Sequence, residues 1–212
     1  MGLHRWPFLL LFLLSARGLS QSVIYSPLEV ANERTTTFEV IGRLGKTIFV
    51  QTYSKGNYTV VLYDNDMKPI RRVPLGFLLL RPLKVDYVLM KEKVLIIFQT
   101  AKDNMLYSHM IHLNTEGKMA SEPRIIDSLP ITGPSLRPFD VLYSANRKMV
   151  MLLHQSAIHE KLVQVHAHLL DEQVSTIRRS VMYMVTPDGE EMVRNYALAN
   201  SGDLVSPELA SA

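Results

Sequence analysis

IFVQTYSKGNYTVVLYDNDMK, residues 48–68, sets the plan on which most of the chain is written. An apolar, β-branched run ends in Gln51–Thr52, and the polar connection Lys55-Gly56-Asn57 follows. A second strand-like run then closes at Asp64. The plan recurs in LIIFQTAKDNMLYSHMIHLNTEGK from Leu95 and in MLLHQSAIHEKLVQVHAHLLDEQ from Met151. Each copy has an apolar strand ending in Gln plus Thr or Ser (Gln51–Thr52, Gln99–Thr100, Gln155–Ser156). Each second strand ends at Asp64, Asn114 or Asp171. The glutamines lie 48 and 56 positions apart, and a shorter echo, YALANSGDLV, begins at Tyr196.

Outside these copies the chain keeps the same character. Short β-branched and aromatic runs alternate with turn residues, and few stretches have a helical period. Strands are expected near Thr35–Ile41, Thr47–Tyr53, Tyr58–Tyr63, Val85–Leu89, Val94–Thr100 and Leu106–Leu113. Further ones are expected near Asp140–Tyr143, Met149–His154, Leu162–Leu170, Ile177–Val185 and Tyr196–Ala199. Asp64-Asn65-Asp66, Thr115-Glu116-Gly117, Pro187-Asp188-Gly189 and Asn200-Ser201-Gly202 supply turn residues between them. The expected fold is all-β. A period near 50 residues suggests a β-propeller-like array of short antiparallel sheets, three to four blades, with units near 47–92, 93–147, 148–195 and a partial 196–212. Thr35–Ile41 and the strands after Tyr196 would complete one shared blade. A fragment of a larger propeller and an ordinary β-sandwich are the alternatives.

The order of an N-terminal apolar segment, FVQTYSKGNYTVVLYDNDMKPIRRVPL, and repeated strand pairs resembles uncharacterised exported proteins of Bacteroidota-type bacteria. The resemblance is one of pattern over most of the chain. It implies an exported propeller-like protein and carries over no functional residues.

The apolar segment reads as a secretory signal over residues 1–20. Arg5 supplies the positive charge, Phe8–Leu14 an unbroken apolar core, and Ser15–Ser20 a small, polar end. Gly18 and Ser20 place the cut before Gln21. The core of seven residues is far short of the roughly 20 that a spanning helix needs. No Cys follows it to carry a lipid, and no later apolar run is long enough to cross a bilayer as a helix. The expected product is a free secreted or periplasmic domain comprising residues 21–212.

Beyond residue 20 the chain has 21 basic and 20 acidic side chains, so the overall basic pI gives no reason to expect nucleic acid or an anionic membrane surface. Arg71–Arg72 and Arg178–Arg179 are isolated pairs, expected on solvated strand faces. The absence of Cys excludes thiolate metal sites and thiol nucleophiles. Trp6, the only Trp, lies in the signal, which leaves tyrosines as the aromatic surface for a ligand.

Recognisable catalytic motifs are missing. Gly42-Arg43-Leu44-Gly45-Lys46-Thr47 ends like a phosphate loop, but Val40 stands where a Gly is needed and a strand follows instead of a helix. His159-Glu160 begins like a zinc-protease helix, yet the second His position is Val163. Asp64-Asn65-Asp66 does not continue as a calcium loop, and a side-chain-capped turn is expected there. Gln164, His166 and His168 alternate with apolar residues, so a strand places them on one face. His166 and His168 are therefore the candidate metal ligands, for Zn²⁺ or Cu²⁺, if His154, His159 or a carboxylate comes near. The ordinary alternative is a half-exposed strand that happens to carry His. His109 and His112, three apart, fall on opposite faces. Asn57-Tyr58-Thr59 forms a glycosylation sequon in an expected turn.

The expected function is non-enzymatic binding or scaffolding outside the cytoplasm, for a protein or glycan ligand, without a cofactor. The alternatives are a hydrolase with Asp86, Asp103, Asp140 and His154 converging near a propeller axis, and a His-based metal-binding protein.

Overall fold

A computed structural model describes residues 36–80, 82–120, 122–131, 136–159, 161–185 and 195–206. The expected signal, Thr35, Glu160, the Pro187-Asp188-Gly189 turn and the side chain of His159 lie outside the described residues. Within them the protein is all-β, in four antiparallel sheets. The first sheet comprises β1 (Thr36–Leu44), β2 (Thr47–Ser54), β3 (Asn57–Tyr63) and β4 (Pro69–Pro74). The second comprises β5 (Lys84–Leu89), β6 (Lys93–Lys102), β7 (Met105–Asn114) and β8 (Arg124–Pro130). The third comprises β9 (Asp140–Tyr143), β10 (Val150–His159), β11 (Leu162–Leu170) and β12 (Thr176–Val185), and the fourth is a hairpin of β13 (Ala197–Leu198) and β14 (Leu204–Val205). Each four-stranded sheet is a simple meander, so sequence neighbours pair directly.

The sheets stack on one another because their strands are apolar on both faces. Val94, Ile96 and Phe98 of β6 face the first sheet and pack with Phe49, Val60 and Leu62. Their neighbours Leu95 and Ile97 face the third sheet and pack with Val150, Leu152 and Leu170. The opposite face of the third sheet, with Met151, Leu153 and Val165, is covered by Leu198 and Leu204 of the hairpin. Burying a side chain of this kind contributes about 1.5–3 kcal/mol, so a second sheet that buries both faces anchors the stack. The first strands lie close to one another: β1 runs beside β5, and β9 beside β13.

The repeated Asx positions build one turn three times. Oδ1 of Asp64 accepts hydrogen bonds from the N–H groups of Asp66 and Lys68, at 2.9 and 2.8 Å. Asn114 does the same for Glu116 and Lys118, and Asp171 for Gln173 and Ser175. Two backbone N–H groups are thus tied by one short side chain, which is why these residue types end the second strand of each repeat. The fourth residue of each turn is left-handed: Met67, Gly117 and Val174. Gly117 is required for a further reason, since a Cβ there would lie 2.8 Å from Leu62 of the neighbouring sheet.

Two strands were not expected: β4 and β8. β4 and β8 are outer edges, paired on one side only, and β4 begins and ends in Pro with Arg71–Arg72 exposed between. Such strands lack alternation of their own and are held by the partner's ladder. The expectation that Thr35–Ile41 would share a blade with the C-terminal strands is corrected: β1 pairs with β2 along its length, and β13 pairs with β14. Sheet boundaries fall one strand earlier than the repeat units read from sequence, because a repeat's starting point is arbitrary until pairing fixes it.

Candidate functional site

The polar candidates gather where the second and third sheets face each other. β10, β11 and β12 present His154, His166, His168 and Arg179 on the face that carries Leu152, toward the second sheet. His166 and His168 share that face, as alternation requires, but they do different things. His166 pairs across the ladder with His154, their ring centroids 6.5 Å apart. Burial, and then the neighbouring His166, push the His154 imidazole below its ordinary titration range. Its ring packs on Phe139 at 5.4 Å.

His168 is almost fully buried and both ring nitrogens are engaged. Nδ1 lies 2.9 Å from Oδ2 of Asp127 in β8, and Nε2 lies 2.9 Å from Oγ1 of Thr176. Arg179 Nε, which can only donate, approaches the same Nε2 at 3.4 Å. Nδ1 therefore carries a proton, facing the carboxylate. A carboxylate, an imidazole and a hydroxyl in line have the order of a catalytic relay. Here the imidazole is closed off and its Nε2 is shared with a guanidinium, so the group acts as a clasp between two sheets. Binding a metal through His168 would displace one of these partners. Among the described residues no group of three or more His, Cys, Asp or Glu is placed to hold a metal ion.

The proposed hydrolase residues divide. Lys84 Nζ in β5 reaches Oδ1 of Asp86 at 3.5 Å and Oδ1 of Asp140 at 3.2 Å, and donates to the Phe139 carbonyl at 3.3 Å. Asp140 is also close enough to influence His154. Asp86, Asp140 and His154 thus come to one end of the interface beside the first strands. Asp103 does not join them; it sits exposed at the left-handed tip of the β6–β7 hairpin.

Asp86 is the electrostatically unusual member. Burial pushes its carboxyl up to about 6, and Lys84 only partly offsets this, while Asp140 and Glu39 add to it. Its Oδ2 is buried with no hydrogen-bond partner. The folded state therefore binds this proton more tightly than the unfolded chain, and the Asp86 contribution to stability falls as pH rises from about 4 to about 6. Replacing Asp86 by Asn is expected to stabilise the protein at pH 7 by on the order of 2 kcal/mol and to flatten this part of the profile. Urea unfolding of both proteins at pH 5 and pH 7 checks it. An unchanged difference between the two pH values would contradict the assignment.

Gln99 ties the same region to the backbone. Its amide donates from Nε2 to the Phe139 carbonyl at 2.7 Å and accepts from the Phe139 N–H at Oε1 at 2.5 Å. Gln99, one of the three repeated glutamines, thus clasps the segment that enters the next sheet.

The remaining motifs resolve simply. Gly42 to Thr47 forms the end of β1, a tight turn and the start of β2. His109 stacks on Phe98 at 4.8 Å and meets Thr100 Oγ1 at 2.9 Å. The functional residues not anticipated were Asp127, Thr176 and Arg179. Asp127 lies in an edge strand without alternation, 41 positions before its imidazole partner. No family model matches the sequence, and no curated protein matches it.

Proposed function

We propose that this is an exported, non-enzymatic binding or scaffold protein whose sheets are arranged as a propeller-like array, delivered to the periplasm or the exterior by residues 1–20. The observation that carries the architecture is the second sheet, buried on both faces by Val94, Ile96 and Phe98 on one side and Leu95 and Ile97 on the other. A two-sheet sandwich needs only one dry face per sheet, whereas sheets stacked about an axis need two. The adjacency of first strands supports the same reading. Such an array displays hairpins and connecting loops along its rims, surfaces suited to holding a ligand. Likeness to exported proteins of Bacteroidota-type bacteria belongs to this proposal.

The convergence of Asp86, Asp140 and His154 favours a second reading, a hydrolase acting at the inner edge. One assay separates the two. Protein purified from cells expressing the full chain is incubated with ester, peptide and glycan substrates. The binding reading expects no turnover. Turnover lost in both Asp86→Asn and Asp140→Asn would replace it with the hydrolase.

A further inference from the structure

The Lys55-Gly56 turn and its flanking tyrosines enclose a feature that neither the stack nor the inter-sheet clasp requires. Ser54 pairs with Asn57, which leaves Lys55 and Gly56 as a two-residue connection with φ of 50° and 86°. Two left-handed central residues make the turn type I′, the form that matches the twist of a hairpin. This sets Tyr53 directly opposite Tyr58, their ring centroids 4.7 Å apart and tilted by 47°. The chain leaving β4 is tied to the hairpin by the Leu75 N–H, which donates to the Tyr58 carbonyl at 2.9 Å. A short 3-10 helix, Gly76–Leu80, then brings Leu78 to the cleft wall, and Pro82 follows. Together they line an open cleft of about 630 Å³, a size within the range of small-ligand sites.

The chemistry of the lining is specific. Two partly buried tyrosine rings offer flat apolar surface with polar tips. The Tyr58 hydroxyl is a donor at neutral pH, and burial, then Tyr53, raise it further. Lys55 contributes an ammonium group, and Asn57 an amide that both donates and accepts. Among the described residues no carboxylate lines the cleft, and Lys55 is the one charged residue that does. A ligand that fits has an apolar face to pack on a ring, a rim of hydroxyls to pair with an amide and phenols, and tolerance of a positive charge. A cleft of similar size beside Phe77 has one aromatic ring and carries Glu122. The smaller cleft beside Met90 is lined by charged side chains without a ring.

We infer that the cleft formed by Tyr53, Tyr58, Lys55 and Asn57 binds a saccharide and prefers one bearing a carboxylate. This rests on the binding-protein reading and names its ligand class. The test is isothermal titration of the protein, made from the full chain in cells that do not N-glycosylate, with two probes. These are an oligogalacturonate and an uncharged oligoglucan of the same length. The expected result is binding of the galacturonate about five-fold tighter than the glucan, the most that one exposed charge pair typically contributes. Lys55→Ala removes that preference, and Tyr53→Ala abolishes both heats. Asn57→Ala, an exposed change that spares the ring pair, weakens both and guards against a Tyr53→Ala protein that fails to fold. Absence of heat with both probes, equal affinity for the two, or unchanged binding in the Lys55 and Asn57 variants overturns the site. Absence of binding without turnover removes this site alone and leaves the binding-protein reading standing. Turnover of either probe overturns the non-enzymatic reading itself.

Discussion

Replacing Gln99 by Leu is expected to lower the stability of this protein by about 3 kcal/mol, a fall in melting temperature of about 9 °C for a chain of this size. The two side chains have similar volume, so little of the loss comes from packing. It comes from the Phe139 N–H and carbonyl, which Gln99 satisfies together at 2.5 and 2.7 Å inside a fully buried site. The Phe139 N–H is left without an acceptor, which costs about 1–3 kcal/mol once water cannot reach it, while the carbonyl keeps only the longer 3.3 Å bond from Lys84 Nζ; added apolar burial offsets only part of the loss. Gln99→Glu sharpens the test. An ionised carboxylate keeps the acceptor but loses the donor, whereas a protonated one recovers both. The Glu variant is therefore expected to regain stability as pH falls toward 5, while the Leu variant is not. Calorimetry of the three proteins at pH 5 and pH 7.5 decides it; a Leu variant within about 1 kcal/mol of the parent would show that Phe139 finds other partners.

Asp127→Ala is the second large effect, with an expected loss again of about 3 kcal/mol, the upper end for a buried hydrogen bond to a charged group. It strands the His168 ring and removes a partner of Arg179, whose Nη2 lies 3.8 Å from Asp127 Oδ1 and 3.5 Å from the Ile126 carbonyl. The pH profile identifies the mechanism. Burial raises the Asp127 carboxyl, but the hydrogen bond and charge of His168, the Ser128 N–H and Arg179 outweigh it and hold the group below its ordinary value. A carboxyl depressed in the folded state adds stability that is fully present above its unfolded value of 3.8 and is lost as pH falls through its lower folded value. The parent protein should lose stability below about pH 4, and Asp127→Ala should lose less there. Asp86 acts in the opposite sense between about 4 and 6, so the Asp127 signature is read below that window. Urea midpoints measured from pH 3 to pH 8 on parent and variant test this; parallel profiles would remove Asp127 from the explanation.

Much of the strand pattern was legible because its causes are local. Apolar runs such as Val94–Phe98 name buried strands, and Asp64, Asn114 and Asp171 name turns that their own side chains close. The repeated glutamines were legible as a pattern, but the role of Gln99 was not, because its partner Phe139 lies 40 positions away. β4 and β8 escaped for a related reason: an edge strand borrows its conformation from the neighbour it pairs with. The alternation of His166 and His168 correctly put both rings on one face, yet it could not tell that one faces His154 and the other Asp127.

The sequence by itself determined the all-β character, the hairpins, the capped turns and the placement of polar residues on one face or the other. These follow from short-range rules: side chains alternate along a strand, and Asx or Gly residues permit a turn. Tertiary structure alone decided that the second sheet is dry on both faces, that β1 pairs with β2, that His168 is clasped by Asp127, and that Tyr53 and Tyr58 meet Leu78 in a cleft. Each of these joins segments whose separation along the chain carries no local energetic signature. Only the burial gained when sheets stack selects which distant residues become neighbours.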